Sequence, residues 1–247
     1  QHFLKSSIVA AKMIDELKKL YEDGDLVLEI GTGHGILTIK LLENNINFIS
    51  IEKDKKLYES FVSRHPEISD NLICGDFRRI KISEYGHRVI IFGSFPYIIT
   101  SEIIDKAIKE YIYVKAILGL FQWEVARRLT ASPSTKEYGA LTVSISAGYE
   151  VKIISRISPE NFVPPPSVDS ALVVMIKKEE PAIPHEYLPP FAKFVRRFFS
   201  FRRKMIRNSS RRLMIKGIDE EYLQKRPEEL TLDDFVYLFK KFYGDEE

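Results

Sequence analysis

The sequence predicts an α/β fold: a mainly parallel sheet covered by helices on both faces, antiparallel edge strands at one side, and a small all-helical C-terminal domain. Through the first half of the chain, short and nearly continuous apolar segments alternate with helical stretches, as strands buried on both faces do. Three later apolar segments follow one another too closely for helical crossovers, and a proline-rich stretch then leads into segments with helical periodicity alone.

Ala10, Met13, Ile14, Leu17, Leu20 and Tyr21 recur at helical spacing behind a Ser6-Ser7 cap signal, predicting an amphipathic helix over residues 7–21 that Glu22-Asp23-Gly24-Asp25 ends. Strands are predicted at 26–30, 48–52, 72–75, 89–92 and 116–120, and close-spaced antiparallel strands at 141–149, 151–157 and 171–176. Four prolines within 179–190 mark a linker. Beyond it, 191–215, 219–226 and a run from the Thr231 cap through Phe242 read as helices. The expected organisation is therefore a domain over 1–178 and a helical, RNA-binding domain over 185–247.

With 247 residues, 45% hydrophobic and 29% charged, the chain fits one large domain plus a small appendage. No apolar run approaches the roughly 20 residues of a membrane span. The N-terminus lacks the basic start and apolar core of a secretory signal, and Cys74 is the only cysteine, so a cytoplasmic, disulfide-free protein is expected. Five histidines at no ligand-like spacing predict no metal site. Nothing demands more than a monomer.

The net charge of +2 conceals an asymmetry. Residues 191–216 hold ten Lys or Arg and no Asp or Glu, leaving 27 basic against 35 acidic residues elsewhere, a balance of −8. So concentrated a basic face suits a polyanion such as nucleic acid, although a solvated helix face has the same composition. Arg196, Arg197, Arg202, Arg203, Lys204 and Arg207 are the candidate phosphate contacts, and the interleaved phenylalanines are assigned to packing.

The first predicted strand runs into Glu29-Ile30-Gly31-Thr32-Gly33-His34-Gly35, where Gly31 and Gly33 let backbone approach a ligand at a helix start. The second ends at Glu52, 21 residues beyond Gly31, where a carboxylate accepts from ribose hydroxyls. Together they indicate an adenosine-containing cofactor in a Rossmann-like sheet; either alone equally describes a tight turn or a surface carboxylate. The third strand ends in Cys74-Gly75-Asp76-Phe77, placing Asp76 to accept from an adenine amino group with Phe77 beside the base. That third element, and a loop unlike the diphosphate-reading Gly-x-Gly-x-x-Gly, favour S-adenosyl-L-methionine. Cys74 is assigned to packing.

The fourth strand leads into Ser94-Phe95-Pro96-Tyr97 at the carboxyl edge of the sheet, where such folds place their chemistry. The order Gln1-His2-Phe3-Leu4, Glu29-x-Gly31-x-Gly33, Ile51-Glu52, Gly75-Asp76-Phe77 and Ser94-Phe95-Pro96-Tyr97 resembles the rRNA adenine N6,N6-dimethyltransferase family, which spans KsgA-type small-subunit enzymes and erythromycin-resistance methylases. The likeness continues through Gln122–Leu129, Lys136–Leu141, Phe162-Val163-Pro164-Pro165-Pro166-Ser167-Val168-Asp169-Ser170 and Phe199–Lys204, and these later motifs favour the small-subunit branch. The resemblance implies methyl transfer from S-adenosyl-L-methionine to N6 of adenines in small-subunit rRNA, with the pre-ribosomal small subunit as partner. It also implies roles for residues: Ser94 and the Phe95 carbonyl accept from the amino group, Pro96 shapes the turn, Tyr97 and Phe162 close on the two faces of a flipped base, and His2 and Leu4 lie over the cofactor.

Ser94 stands where the family carries Asn, a shorter side chain with a hydroxyl acceptor. Three readings stay open: a variant that dimethylates, a slower or monomethylating enzyme, and a ribosome-assembly factor that binds RNA without catalysis. A large-subunit resistance-type methylase is the further alternative.

Overall fold

The computed structural model describes residues 2–213 and 215–244. Gln1 of the N-terminal motif, Met214 of the basic segment and residues 245–247 of the predicted helical domain lie outside the described residues. The elements run β1 (Phe3–Leu4), α1 (Ser7–Lys18), β2 (Leu26–Ile30), α2 (Ile36–Glu43), β3 (Phe48–Glu52), α3 (Lys55–Arg64), β4 (Leu72–Cys74), β5 (Val89–Ser94), α4 (Thr100–Lys109), β6 (Val114–Gln122), α5 (Trp123–Leu129), α6 (Ala140–Ser146), β7 (Tyr149–Ile157), β8 (Phe162–Val163), β9 (Ser170–Lys177), α7 (Leu188–Phe199), α8 (Ile206–Leu213), α9 (Glu220–Leu223) and α10 (Leu232–Gly244), with short 3₁₀ turns between them. The chain divides into two compact units: residues up to Ala126 with Lys152–Lys177, and Arg127–Val151 with residues from Lys178 onward.

The first unit is built on a seven-stranded sheet in the order β4-β3-β2-β5-β6-β9-β7. Strands β4, β3, β2, β5 and β6 pair in parallel, and β9 runs antiparallel to β6, with Ser170 opposite Gln122. From β2 the chain steps outward through β3 and β4, then returns to β5 on the other side of β2. This reversal opens a crevice beyond the carboxyl ends of β2 and β5.

Residues of period two, Val27, Phe48, Ile90, Phe92, Ala116, Leu118 and Leu172, form one sheet face and pack against Val9, Ala10, Met13, Ile14 and Leu17 of α1 and Leu37 and Leu41 of α2. Each of the larger side chains among these, from Val to Phe, contributes about 1.5–3 kcal/mol by leaving water. Helix α1 starts where predicted because the Ser6 side chain accepts from the Val9 N–H. Among the described residues no helix is long and apolar enough to cross a membrane.

The second unit takes in residues 127–151 as well as the C-terminal segment, because α6 packs on α7. This region also corrects the predicted strand at 141–149: residues 140–146 are helical, and strand β7 begins only at Tyr149. Thr142, Val143, Ser144 and Ile145 are all buried, so burial on several sides conceals the helical period behind β-branched residues. The Thr142 hydroxyl anchors the first turn, accepting from the Gly139 N–H and donating to the Arg128 carbonyl. Helix α7 begins at Leu188 within the predicted linker, since prolines are tolerated in a first helical turn. Its Phe191 and Phe194 meet Phe239 of α10 at ring-centroid distances of 5.4 and 5.5 Å, as the packing assignment expects.

Opposite the crevice, the amino-terminal ends of β2, β5 and β6 share one buried carboxylate. Asp25, with no exposed surface, accepts from Arg88 Nε at 2.7 Å, Lys115 Nζ at 2.7 Å and the Glu22 N–H at 2.8 Å. Burial acts to raise its pKa, but the hydrogen bonds from Lys115, Glu22 and Arg88 outweigh it and hold the carboxyl below its ordinary 3.8. Asp25→Asn should cost about 2 kcal/mol near neutral pH, since both cations reach solvent and moderate the loss. Because the folded-state pKa is depressed, that contribution is present above pH 3.8 and disappears as pH falls through the folded value. Urea unfolding midpoints of the two proteins should therefore converge on acidification.

Candidate active site

The crevice holds a cleft of about 290 Å³ lined by His2, Phe3, Gly31, Gly33, Glu52, Ser94, Phe95, Pro96, Tyr97, Ile98 and Phe162. A smaller recess shares His2, Phe3, Gly31, Gly33 and Ser94 and adds Leu4, Glu29 and Thr32. The structure thus brings together most site residues that the sequence predicts, from five separate stretches of chain.

The floor is the loop between β2 and α2. It can turn there because Gly35 has φ +88°, and a Cβ at that position would lie 2.0 Å from the Phe61 ring. Glu52, at the end of β3, accepts from the Gly33 N–H at 2.9 Å and the Asp54 N–H at 2.8 Å, so its carboxylate is fixed at the cleft wall. Hydroxyl groups of a bound sugar would find an oriented acceptor there.

The N-terminal wall comes from a two-stranded pairing that sequence periodicity does not reveal. Strand β1 pairs antiparallel with β8, Leu4 opposite Phe162, and the Lys5 N–H donates to the Asn161 carbonyl at 2.9 Å. This pairing sets Phe162, 2% exposed, beside the cleft. His2 Nδ1 lies 2.8 Å from the Pro164 carbonyl, an acceptor only, so Nδ1 carries the proton of that hydrogen bond.

Beyond β5, the backbone of Ser94-Phe95-Pro96-Tyr97 is shaped by a ring turned away from the cleft. Phe95 is 2% exposed and meets Phe121 edge-on at 5.1 Å. It fits because Gly119 lies opposite Gly93 in the β5–β6 pairing: a Cβ on Gly119 would come within 2.3 Å of the Phe95 ring and 2.5 Å of the Gly93 carbonyl. With that ring buried inward, Ser94, Pro96 and Tyr97 line the cleft. Among the described residues the Ser94 hydroxyl has no hydrogen-bond partner, whereas the Tyr97 hydroxyl lies 2.7 Å from Ser170 Oγ.

Two predicted residues do not line the cleft. Both Asp76 oxygens are engaged by Arg78, with Lys53 Nζ a further 3.1 Å away, and these cations hold the carboxyl well below the usual carboxylate range. Phe77 is 2% exposed, an interior ring with Lys106 Nζ 5.6 Å from its centroid. A cation two positions along the chain and apolar burial therefore dominate this segment.

Glu29 is the residue that sequence reasoning missed, although a carboxylate within the apolar strand Leu26–Ile30 is a visible anomaly. It is fully buried; Oε2 accepts from Thr38 and Ser50, while Oε1 has no partner among the described residues. The Thr32 hydroxyl beside it is likewise buried without one. Both residues line the smaller recess, and two unpartnered oxygens beside it suit a cationic or N–H-bearing group. Among the described residues no group of His, Cys, Asp or Glu could hold a metal ion.

In the second unit the basic residues separate by role. Arg196, Arg197, Arg203 and Lys204 are exposed. Arg202 is committed to the fold: it pairs with Glu228 at 2.5 Å and donates to the Thr135 and Lys136 carbonyls at 3.1 and 2.8 Å. Arg207 lies 3.4 Å from Glu220.

Comparison with known proteins follows the same lines. The family model described as Ribosomal RNA adenine dimethylase matches residues 1–238. Proteins named Ribosomal RNA small subunit methyltransferase A are similar over nearly the whole chain: that of Flavobacterium johnsoniae is 35% identical, covering 99% of this chain and 94% of its own, and that of Chlorobaculum parvum is 36% identical, covering 98% and 87%. The crystal structure of a dimethyladenosine transferase from Plasmodium falciparum shares the fold with a TM-score of 0.80 at 24% identity, covering 99% of this chain and 98% of its own. That of the 23S rRNA methyltransferase ErmE shares it with a TM-score of 0.68 at 23% identity, covering 98% and 99%.

Burial, opposed by the hydrogen bonds from Ser50 and Thr38, pushes the Glu29 carboxyl up to about 7 from 4.5. The folded chain thus retains a proton that the unfolded chain releases, a contribution complete below pH 4.5 and lost as pH rises through 7. Glu29→Gln, which does not titrate, should gain stability relative to the parent chain between pH 4.5 and 8, on the order of 3 kcal/mol. A difference independent of pH in urea titrations would overturn this.

Proposed function

The chain belongs to the ribosomal RNA adenine dimethylase family, and on that premise we propose that it transfers methyl groups from S-adenosyl-L-methionine to N6 of adenines in small-subunit rRNA, forming dimethyladenosine during ribosome biogenesis in the cytoplasm. The observation that carries the reading is the convergence of Ser94, Phe95, Tyr97 and Phe162 on the cleft that Glu52 and the glycine loop also line.

The residues fit the donor. Glu52 accepts from the ribose hydroxyls, Glu29 Oε1 and Thr32 Oγ1 receive the amino-acid ammonium group, and His2 and Leu4 cover it from the β1 side. Asp76 is assigned to the adenine amino group, with Arg78 yielding its place. When bound, S-adenosyl-L-methionine supplies an electrophilic sulfonium methyl group.

An adenine amino group is a weak nucleophile because its lone pair is delocalised into the ring. The site raises its reactivity by accepting its N–H bonds as the nitrogen pyramidalises, one at the Phe95 carbonyl and one at the Ser94 hydroxyl, and by holding it in line with the methyl group. Tyr97 stacks on one face of the flipped base and Phe162 closes on the other. Pro96 fixes the backbone between acceptor and ring. Two successive transfers complete each adenine.

The Ser94 side chain reaches less far than an amide, which supports a second reading, a ribosome-assembly factor with weakened catalysis. Small subunits lacking dimethyladenosine, incubated with labelled donor and analysed by mass spectrometry of the digested rRNA, distinguish the two. Dimethyladenosine from the parent chain is the expected product, and Tyr97→Ala should slow it about 10- to 100-fold. Product from Ser94→Asn alone would establish the assembly factor instead.

Arg196, Arg197, Arg203 and Lys204 are proposed to contact rRNA phosphates, with Arg202 and Arg207 shaping the surface from behind. Reversing these four exposed charges to Glu should weaken binding to an rRNA hairpin and reduce the slope of log K against log salt by about three. Fluorescence anisotropy across a salt series reads this, and an unchanged slope would return the segment to plain surface.

A further inference from the structure

We infer that Ser170 is a positioning residue that sets the angle of the Tyr97 ring, an assignment that rests on the base-clamp reading above. Ser170 opens β9, and Ala171, Leu172, Val173, Val174 and Met175 after it are buried and apolar. Ser170 itself has no exposed surface, so its hydroxyl is unfavourable in that strand unless it is hydrogen-bonded. Its partner is the Tyr97 hydroxyl at 2.7 Å, 73 residues away in sequence.

The bond tethers the ring at its far end. Its near end is held by the 3₁₀ turn Tyr97–Ile99, where the Ile99 N–H donates to the Pro96 carbonyl at 3.0 Å. Tyr97 is half-buried, with the His2 ring tilted against it at a centroid distance of 6.1 Å and its neighbour Ile98 86% exposed. Strand β9, by contrast, is locked in the antiparallel pairing with β6 that runs from Gln122 opposite Ser170 to Ala116 opposite Ile176. Ser170 thereby fixes to the sheet a ring whose aromatic neighbour, His2, lies just ahead of the short β1 pairing, and the clamp face is preorganised before a base arrives. A phenylalanine at position 97 would offer the same stacking surface without the tether.

The test uses the full chain and an RNA hairpin carrying 2-aminopurine in its loop, whose fluorescence is quenched when the base stacks on Tyr97; Tyr97→Ala supplies the unquenched reference. Ser170→Ala is expected to lose at least half the quench and about tenfold in single-turnover methylation rate on small subunits at saturating RNA, with RNA affinity within twofold. Tyr97→Phe should match it, the double variant should be no worse than either, and Ser170→Thr should restore both signals. Parental quench and rate in Ser170→Ala would overturn the assignment, as would losses that multiply in the double variant. Should Ser170→Ala fail to fold, Tyr97→Phe breaks the same bond from the cleft side, and parental behaviour there is equally fatal. A parent chain that neither methylates nor quenches refutes the clamp reading itself, whereas a parent chain that does both alongside an indifferent Ser170→Ala refutes only the tether.

Discussion

Room for one aromatic ring organises the catalytic edge of this protein. Gly93 and Gly119 are paired across β5 and β6, and the space left by the missing side chain of Gly119 receives Phe95, while a Cβ on Gly93 would meet the Ile30 carbonyl at 2.8 Å. Because that ring turns inward, the backbone on either side is forced outward at the carboxyl end of β5. One apolar burial therefore settles three polar positions: the Ser94 hydroxyl, the main-chain carbonyl of residue 95 and the start of the turn that carries Tyr97. Hydrogen bonds adjust this geometry, but packing creates it.

The two buried carboxylates of the β2 region show how burial separates structure from function. Asp25 and Glu29 lie four residues apart and neither reaches solvent. Asp25 is surrounded by Arg88, Lys115 and an N–H, stays ionised and ties three strands together. Glu29 receives only two hydroxyl groups and keeps one oxygen unpaired. An incompletely satisfied carboxylate costs stability, and a fold retains such a group most readily where a ligand completes its hydrogen bonds. The satisfied end of the strand anchors the sheet and the unsatisfied end faces the recess.

Much of this was legible in the sequence. The short, nearly continuous apolar segments located the parallel strands closely, since strands buried on both faces leave an unbroken apolar signature. The glycine loop, Glu52 and the Ser94–Tyr97 turn were legible because each follows directly from a strand end. Positions that depend on distant partners were not. Helix α6 is buried on several sides and packs on α7, so no single period marked it. Asp76 carries the right chemistry for a site, but Arg78 two residues later competes for its carboxylate. Arg202 looked like any other cation in a basic run until Glu228 and two carbonyls claimed it. Ser170, at the end of the motif that begins at Phe162, shows no role in the sequence because its partner is 73 residues away.

The β1–β8 pairing bears on how this chain tolerates additions. His2 and Phe3 form part of the cleft wall, so any polypeptide joined ahead of them issues from the rim of the catalytic opening. An affinity tag or fusion partner joined there would crowd the mouth of the cleft and compete with rRNA for access to it. Purification strategy and cleavage design for this protein are thus governed by a pairing of two residues with two.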